Sequence, residues 1–159
     1  MKKTLILLSL FPTIFFPTTL FAQDLTVQQD LSSSQDLVSQ IEARQNAFEK
    51  IEILSKQASN LLNGNESDWQ ALEQVGKELT RNSAQLHVAF PVGSQENSKA
   101  KQEVWSKPDN FNHLMVEMDN GFIELYRGVQ AQNAPEAEQG LEKAQDTCRS
   151  CHRAYRSRW

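Results

Sequence analysis

Apolar side chains recur at intervals of three and four along four stretches of this 159-residue chain, the pattern of helices with one buried face. Leu37, Ile41, Phe48, Ile51, Leu54, Ala58 and Leu61 set the first stripe, widened by Val38 and Leu62, and Asn63-Gly64-Asn65 ends it. Ser67 stands three residues before Gln70, a capping-box spacing that predicts the start of a second helix buried through Trp69, Leu72, Val75, Leu79 and Leu86. That pattern stops at Phe90-Pro91-Val92-Gly93. A polar connection from Ser94 to about Asp109 follows, with a short helical piece expected near Trp105. Phe111, Leu114, Met118, Phe122, Leu125 and Val129 mark a third helix. Pro135 suits the first turn of a fourth, with Glu136 and Glu138 near its positive end and Arg153, Arg156 and Arg158 near its negative one. The inner face of that helix is Leu141, Ala144, Cys148, Cys151 and Tyr155. The expected architecture is all-α, an antiparallel four-helix bundle.

The N-terminus changes where this bundle should operate. Lys2 and Lys3 precede an apolar run from Leu5 to Phe16, and a segment ending Leu20-Phe21-Ala22 follows, which together read as a secretory signal cleaved after Ala22. Pro12 and Pro17 break the run, which is too short for a transmembrane anchor. The expected organisation is a signal over 1–22, a flexible leader over 23–34 without periodicity, and the bundle over 35–159. The 137 residues left after cleavage suffice for one domain with a real core. Fourteen basic residues then stand against twenty acidic ones, a net charge of −6. Nucleic acid is excluded as a partner by that balance, whereas a basic partner surface is compatible with it.

The candidate chemistry lies at the other terminus. Cys148-Arg149-Ser150-Cys151-His152 is a C-x-x-C-H pentad holding the chain's only two cysteines. Such a pentad is the attachment site of a c-type haem: each thiol forms a thioether with one vinyl group, and the imidazole gives a nitrogen to the iron. On a helix, positions 148, 151 and 152 share one face. A redox pair normally opens a helix after a strand, and no strand pattern precedes these residues. A zinc site needs four ligands, and His87 and His113 show no paired spacing. A disulfide suits an exported chain but leaves His152 without a role. Export and the pentad agree, because c-type haem is attached outside the cytoplasm; the bacterial periplasm is the expected compartment.

Four helices with C-x-x-C-H almost at the C-terminus, followed by Ala154-Tyr155-Arg156, resemble the cytochrome c′ family of class II c-type cytochromes. Ile41-x-x-Arg44-Gln45, Phe90-Pro91-x-Gly93-Ser94 and Val104-Trp105-Ser106 with Phe111 carry the likeness through most of the chain. The resemblance implies one covalent haem c inside one end of the bundle, bound through Cys148 and Cys151, with His152 as proximal iron ligand. It implies haem contacts from Arg44, Gln45, Phe48, Phe90 and Arg156, Arg44 lying near a propionate and Arg156 beside the proximal face. Phe48 falls where low-spin relatives carry a ligating methionine. It has no lone pair to offer, so the implied iron is five-coordinate and high-spin, open to nitric oxide and carbon monoxide. Protection against nitric oxide is the implied service, and a homodimer through the first two helices the implied assembly.

His87 departs from the resemblance. It stands three residues before Phe90, where relatives line the distal side; a partly exposed structural histidine is the expected reading, with a hydrogen bond to a bound gas or closure of the site as a sixth ligand as the alternatives. One-electron transfer with a redox partner protein is the alternative function, favoured if His87 ligates. No acid–base pair is placed beside the expected pocket, so the chain is not expected to be an enzyme. Met115 and Met118 read as core of the third helix, and His113 has no assigned role.

Overall fold

The structure, a computed structural model, describes the backbone of residues 21–64 and 67–158, with side chains from residue 34 on. It contains α1 (Phe21–Leu62), α2 (Trp69–Leu86), the short α3 (Glu103–Ser106), α4 (Pro108–Gln130) and α5 (Ala134–Tyr155). Among the described residues there is no strand, only an isolated antiparallel bridge between Ala100 and Arg156. No helix among them is long and apolar enough to cross a membrane.

The expected signal lies outside the described residues except for Phe21 and Ala22, which open α1. Residues 23–34, expected as a leader, fall within the span of α1. No proline or glycine stands between Thr18 and Asn63, so nothing in the sequence stops a helix once it has nucleated. The compact unit begins at Ser34, one residue before the expected start of the bundle.

From there α1 buries Ile41, Arg44, Ala47, Ile51, Ser55, Ala58 and Leu62, a stripe spaced by three and four that admits two polar residues. Val38, read as widening the stripe, is instead 48% exposed. The second helix also starts differently from expectation. Asp68 rather than Ser67 is its cap, accepting from the Ala71 N–H at 3.0 Å, because a carboxylate one residue nearer the helix reaches the free amide directly. The helix ends at Leu86 with His87 as C-cap, ahead of the Phe90-Pro91 stop. Asn133 caps α5 by accepting from the Glu136 N–H, and Pro135 sits in its first turn as expected.

Leu72, Leu79, Leu86, Phe122 and Leu125 are almost wholly removed from solvent, each burial stabilising by about 1.5–3 kcal/mol. They join α2 to α4. The antiparallel α4/α5 contact is built on smaller residues. A Cβ added at Gly121 would lie 2.6 Å from the Ala144 backbone nitrogen, and one at Gly140 would run into the Leu125 nitrogen. Only glycine allows the two backbones to touch there. Beyond this seam the facing positions become Met118, Met115, Leu114 and Phe111 on α4 against Cys148, Cys151 and Tyr155 on α5, and the core gives way to a cavity.

Candidate functional site

The cavity has a volume of about 780 Å³, within the range of cofactor sites. The last turns of α5 form one wall and place Cys148, Cys151, His152, Tyr155 and Arg156 on it, the face that a three- and four-residue spacing dictates. Both cysteines are free. Burial pushes the Cys151 thiol up to about 11, with the neighbouring Cys148 adding to the effect; Cys148 is raised too, chiefly by burial. Both therefore remain protonated thiols at neutral pH, disinclined to oxidise on their own. Burial lowers the His152 pKa, helped by the Arg156 charge and opposed by Glu52, which favours the neutral imidazole that binds metals. A thiol pair and an imidazole on one face, opening into a largely apolar space of this size, fit a c-type haem.

The opposite wall comes from α1, α4 and the α2–α3 connection. Phe48 of α1 and Phe90 of the connection meet edge to face at 6.3 Å, Phe90 contacts Phe111 at 4.8 Å, and Phe111 contacts Tyr155 at 5.2 Å. Trp105 supports Phe90 at 6.4 Å, its indole N–H donating to the carbonyls of Phe90 and Pro91 at 3.1 Å. Gln45, Val104, Leu114, Met115 and Met118 complete much of this surface, with Glu52 and its ion-pair partner Lys56 on α1. The Lys56 hydrogen bond is the main reason the Glu52 carboxyl is held below the usual carboxylate range.

Arg44 does more here than the resemblance implied. It is only 3% exposed. Its guanidinium donates to the Ala89 carbonyl at 3.1 Å and to the Ser94 hydroxyl and carbonyl, both at 2.6 Å, and lies 4.6 Å over the Phe90 ring. Burial lowers its pKa from the ordinary arginine value, and the charge is made tolerable by these acceptors and the ring face. Arg44 therefore clamps the connection that carries Phe90 over the cavity. Gly93 allows the turn inside that clamp, at a φ of 94° open to few other residues. The far end of the connection is tied to α5: the Lys101 N–H donates to the Tyr155 carbonyl at 2.9 Å and the Ser157 N–H to the Lys99 carbonyl at 2.8 Å.

All eight expected haem-site residues, Arg44, Gln45, Phe48, Phe90, Cys148, Cys151, His152 and Arg156, line this one cavity. His87 does not. Its Nε2 lies 3.5 Å from Asp119 Oδ2, and Asp119 also accepts the Ser83 hydroxyl at 2.5 Å. As the C-cap of α2, His87 points its side chain at α4 beside the core and outside the cavity lining, away from the positions that its two alternative readings, contact with a bound gas and ligation of the iron, would need. His113 pairs with Glu117 at 3.4 Å on the exposed side of α4. Sequence reasoning missed the Arg44–Ser94 clamp, although a charge on the buried stripe of α1 was its visible signal. It also read Met115 and Met118 as core alone, whereas they are both core and cavity wall.

A profile of the family described as Cytochrome C' matches residues 39–156. The chain belongs to the cytochrome c′ family. Family membership implies c-type haem. Among solved structures, cytochrome c prime from Shewanella frigidimarina aligns with a TM-score of 0.69 at 20% identity, over 76% of this chain and 96% of its own. A ferrous variant of the Alcaligenes xylosoxidans protein with bound NO aligns with a TM-score of 0.70 at 19% identity, over 77% and 97%. A third cytochrome c′, described by an unusual ligand-controlled dimer dissociation, gives 0.69 at 17% identity, over 76% and 95%. These likenesses establish the four-helix cytochrome c′ fold. No curated protein sequence gives a match to this chain.

Proposed function

We propose that this chain is an exported, periplasmic monohaem cytochrome c′ that binds nitric oxide, and carbon monoxide, at five-coordinate high-spin iron. The aromatic wall opposite His152 carries the reading. When bound, a c-type haem supplies an iron that takes up a diatomic gas and cycles by one electron. Cys148 and Cys151, which line the cavity, would hold it by thioethers, and His152 would supply a nitrogen to its iron. Phe48 and Phe90 both line the cavity and present only carbon to it, so neither would offer the iron a ligand. Neither ring carries a hydrogen-bond donor, and His87 is turned to Asp119, so dioxygen would find no stabilising donor there, whereas nitric oxide and carbon monoxide need none. The NO-bound Alcaligenes xylosoxidans protein, which shares this fold, supports the reading, as does the dimer named for another solved relative for a homodimer through α1 and α2. Binding and protection rather than turnover is the proposed service.

Optical and electron paramagnetic resonance spectra of the purified holoprotein, ferric and ferrous, with and without nitric oxide, test this. High-spin five-coordinate iron that responds to the gas is expected. A low-spin six-coordinate resting spectrum that ignores it overturns the proposal and points to a thioether from Met115 or Met118.

A further inference from the structure

Beside the cavity, and sharing Lys99, His152 and Arg156 with it, the end of α5 and Lys99 enclose an open hollow of about 460 Å³. Lys99, Arg149, Arg153, Arg156 and Arg158 line it together with His152, and among the described residues no carboxylate side chain does. All five cations are exposed, and none makes a salt bridge among the described residues. This cluster is not a product of composition, because the chain as a whole carries a net charge of −4. Nor does it help the fold. Arg149 and Arg153 stand four residues apart on one helical face, where like charges cost a few tenths of a kcal/mol. The negative end of α5 offsets part of that repulsion for Arg153 and Arg156, but Arg149 lies a turn further back. Glu52, held down in part by Arg156 and His152, belongs to the cavity and not to the hollow.

We propose that this hollow is the docking surface for the acidic face of a one-electron carrier protein. The inference rests on the haem reading above, because His152 lines both the hollow and the cavity and so joins the surface to the cofactor by the shortest path. Exposed arginines without a buried donor among them make no closed cage for a small anion, whereas their planar, weakly hydrated heads suit a broad carboxylate-rich surface. The net negative charge of the chain is compatible with a basic partner; the local field at the hollow points to an acidic one. One electron passes from the reduced carrier to the ferric haem, oxidising the first and reducing the second, with no proton or group transferred.

The test uses ferric holoprotein and a reduced plant-type ferredoxin as the acidic carrier, followed by stopped-flow absorbance. Steered association predicts a rate that falls about tenfold as salt is raised from about 10 to about 300 mM. It also predicts about a tenfold drop in the R149E/R153E double variant at low salt. Docking is read without electron transfer by titrating the holoprotein into ¹⁵N-labelled oxidised ferredoxin, whose acidic-face amides should shift with wild type and not with the variant. A rate that rises with salt, as net charge alone predicts, overturns the proposal, and so does a variant that keeps the wild-type rate and shifts. Loss of covalent haem from the variant would assign the arginines to the cofactor's own carboxylates and overturn it too. If the wild-type protein shows no covalent haem by the pyridine haemochrome spectrum, the earlier reading fails instead.

Discussion

The interface between α4 and α5 has two halves of opposite character. Near Gly121 and Gly140 the helices touch through their backbones, leaving no room for even a methyl group. Near Met115, Met118, Cys148 and Cys151 the same two helices border about 780 Å³ of space. Residue size along one seam accounts for the contrast. Glycine and alanine draw the helices together at one end, and methionine and phenylalanine hold the walls apart at the other. The tight half fixes the direction of α5, so its last turns present the pentad without needing contacts of their own to orient them.

The contrast is broken most severely at the open half by removing its chemistry. Cys148→Ala with Cys151→Ala is expected to abolish covalent haem, seen as loss of haem staining after denaturing electrophoresis, while the helical circular dichroism persists. At the tight half, Gly140→Val forces side-chain atoms into the α4 backbone and should cost about 3 kcal/mol in a denaturant titration. A loss below about 1 kcal/mol would show that the seam relaxes and does not set the direction of α5. Arg44→Met should remove about 2 kcal/mol, because it deletes charge-assisted hydrogen bonds to Ser94 and Ala89. It should also speed nitric-oxide binding, by freeing the segment that holds Phe90; an unchanged on-rate would reduce the clamp to a stability device. The smallest effect is expected for His87→Gln, which touches neither half. It should shift stability by less than about 1 kcal/mol and leave the haem spectrum as it was.

The sequence announced the α5 wall almost completely, because a covalent attachment site needs contiguous residues and helical spacing places them on one face. It announced the four helices equally well, since Leu72, Leu79, Phe122 and Leu125 obey the period that burial imposes. The opposite wall was harder. Phe48 and Phe90 came through the family resemblance, not from periodicity, which cannot tell an aromatic facing a cavity from one in solid core. The partners of Arg44 lie 45 and 50 positions away, in a loop whose path no local pattern fixes. The alternative site readings of His87 fall away for the same reason: closeness in sequence to Phe90 does not carry across a helix end, after which the chain turns toward the cavity while the cap stays beside α4.

The walls of the cavity are also remote in time. Phe48 lies in α1 and Cys148 in α5, so bringing both to one cavity closes one of the longest loops the bundle contains. The α4/α5 hairpin, in contrast, is local and can form as soon as both helices exist. Folding is thus expected to complete the hairpin first and the cavity last. Until α1 docks, the two thiols and the imidazole stand on an open helix, which gives any attachment machinery access to them before the aromatic wall shuts.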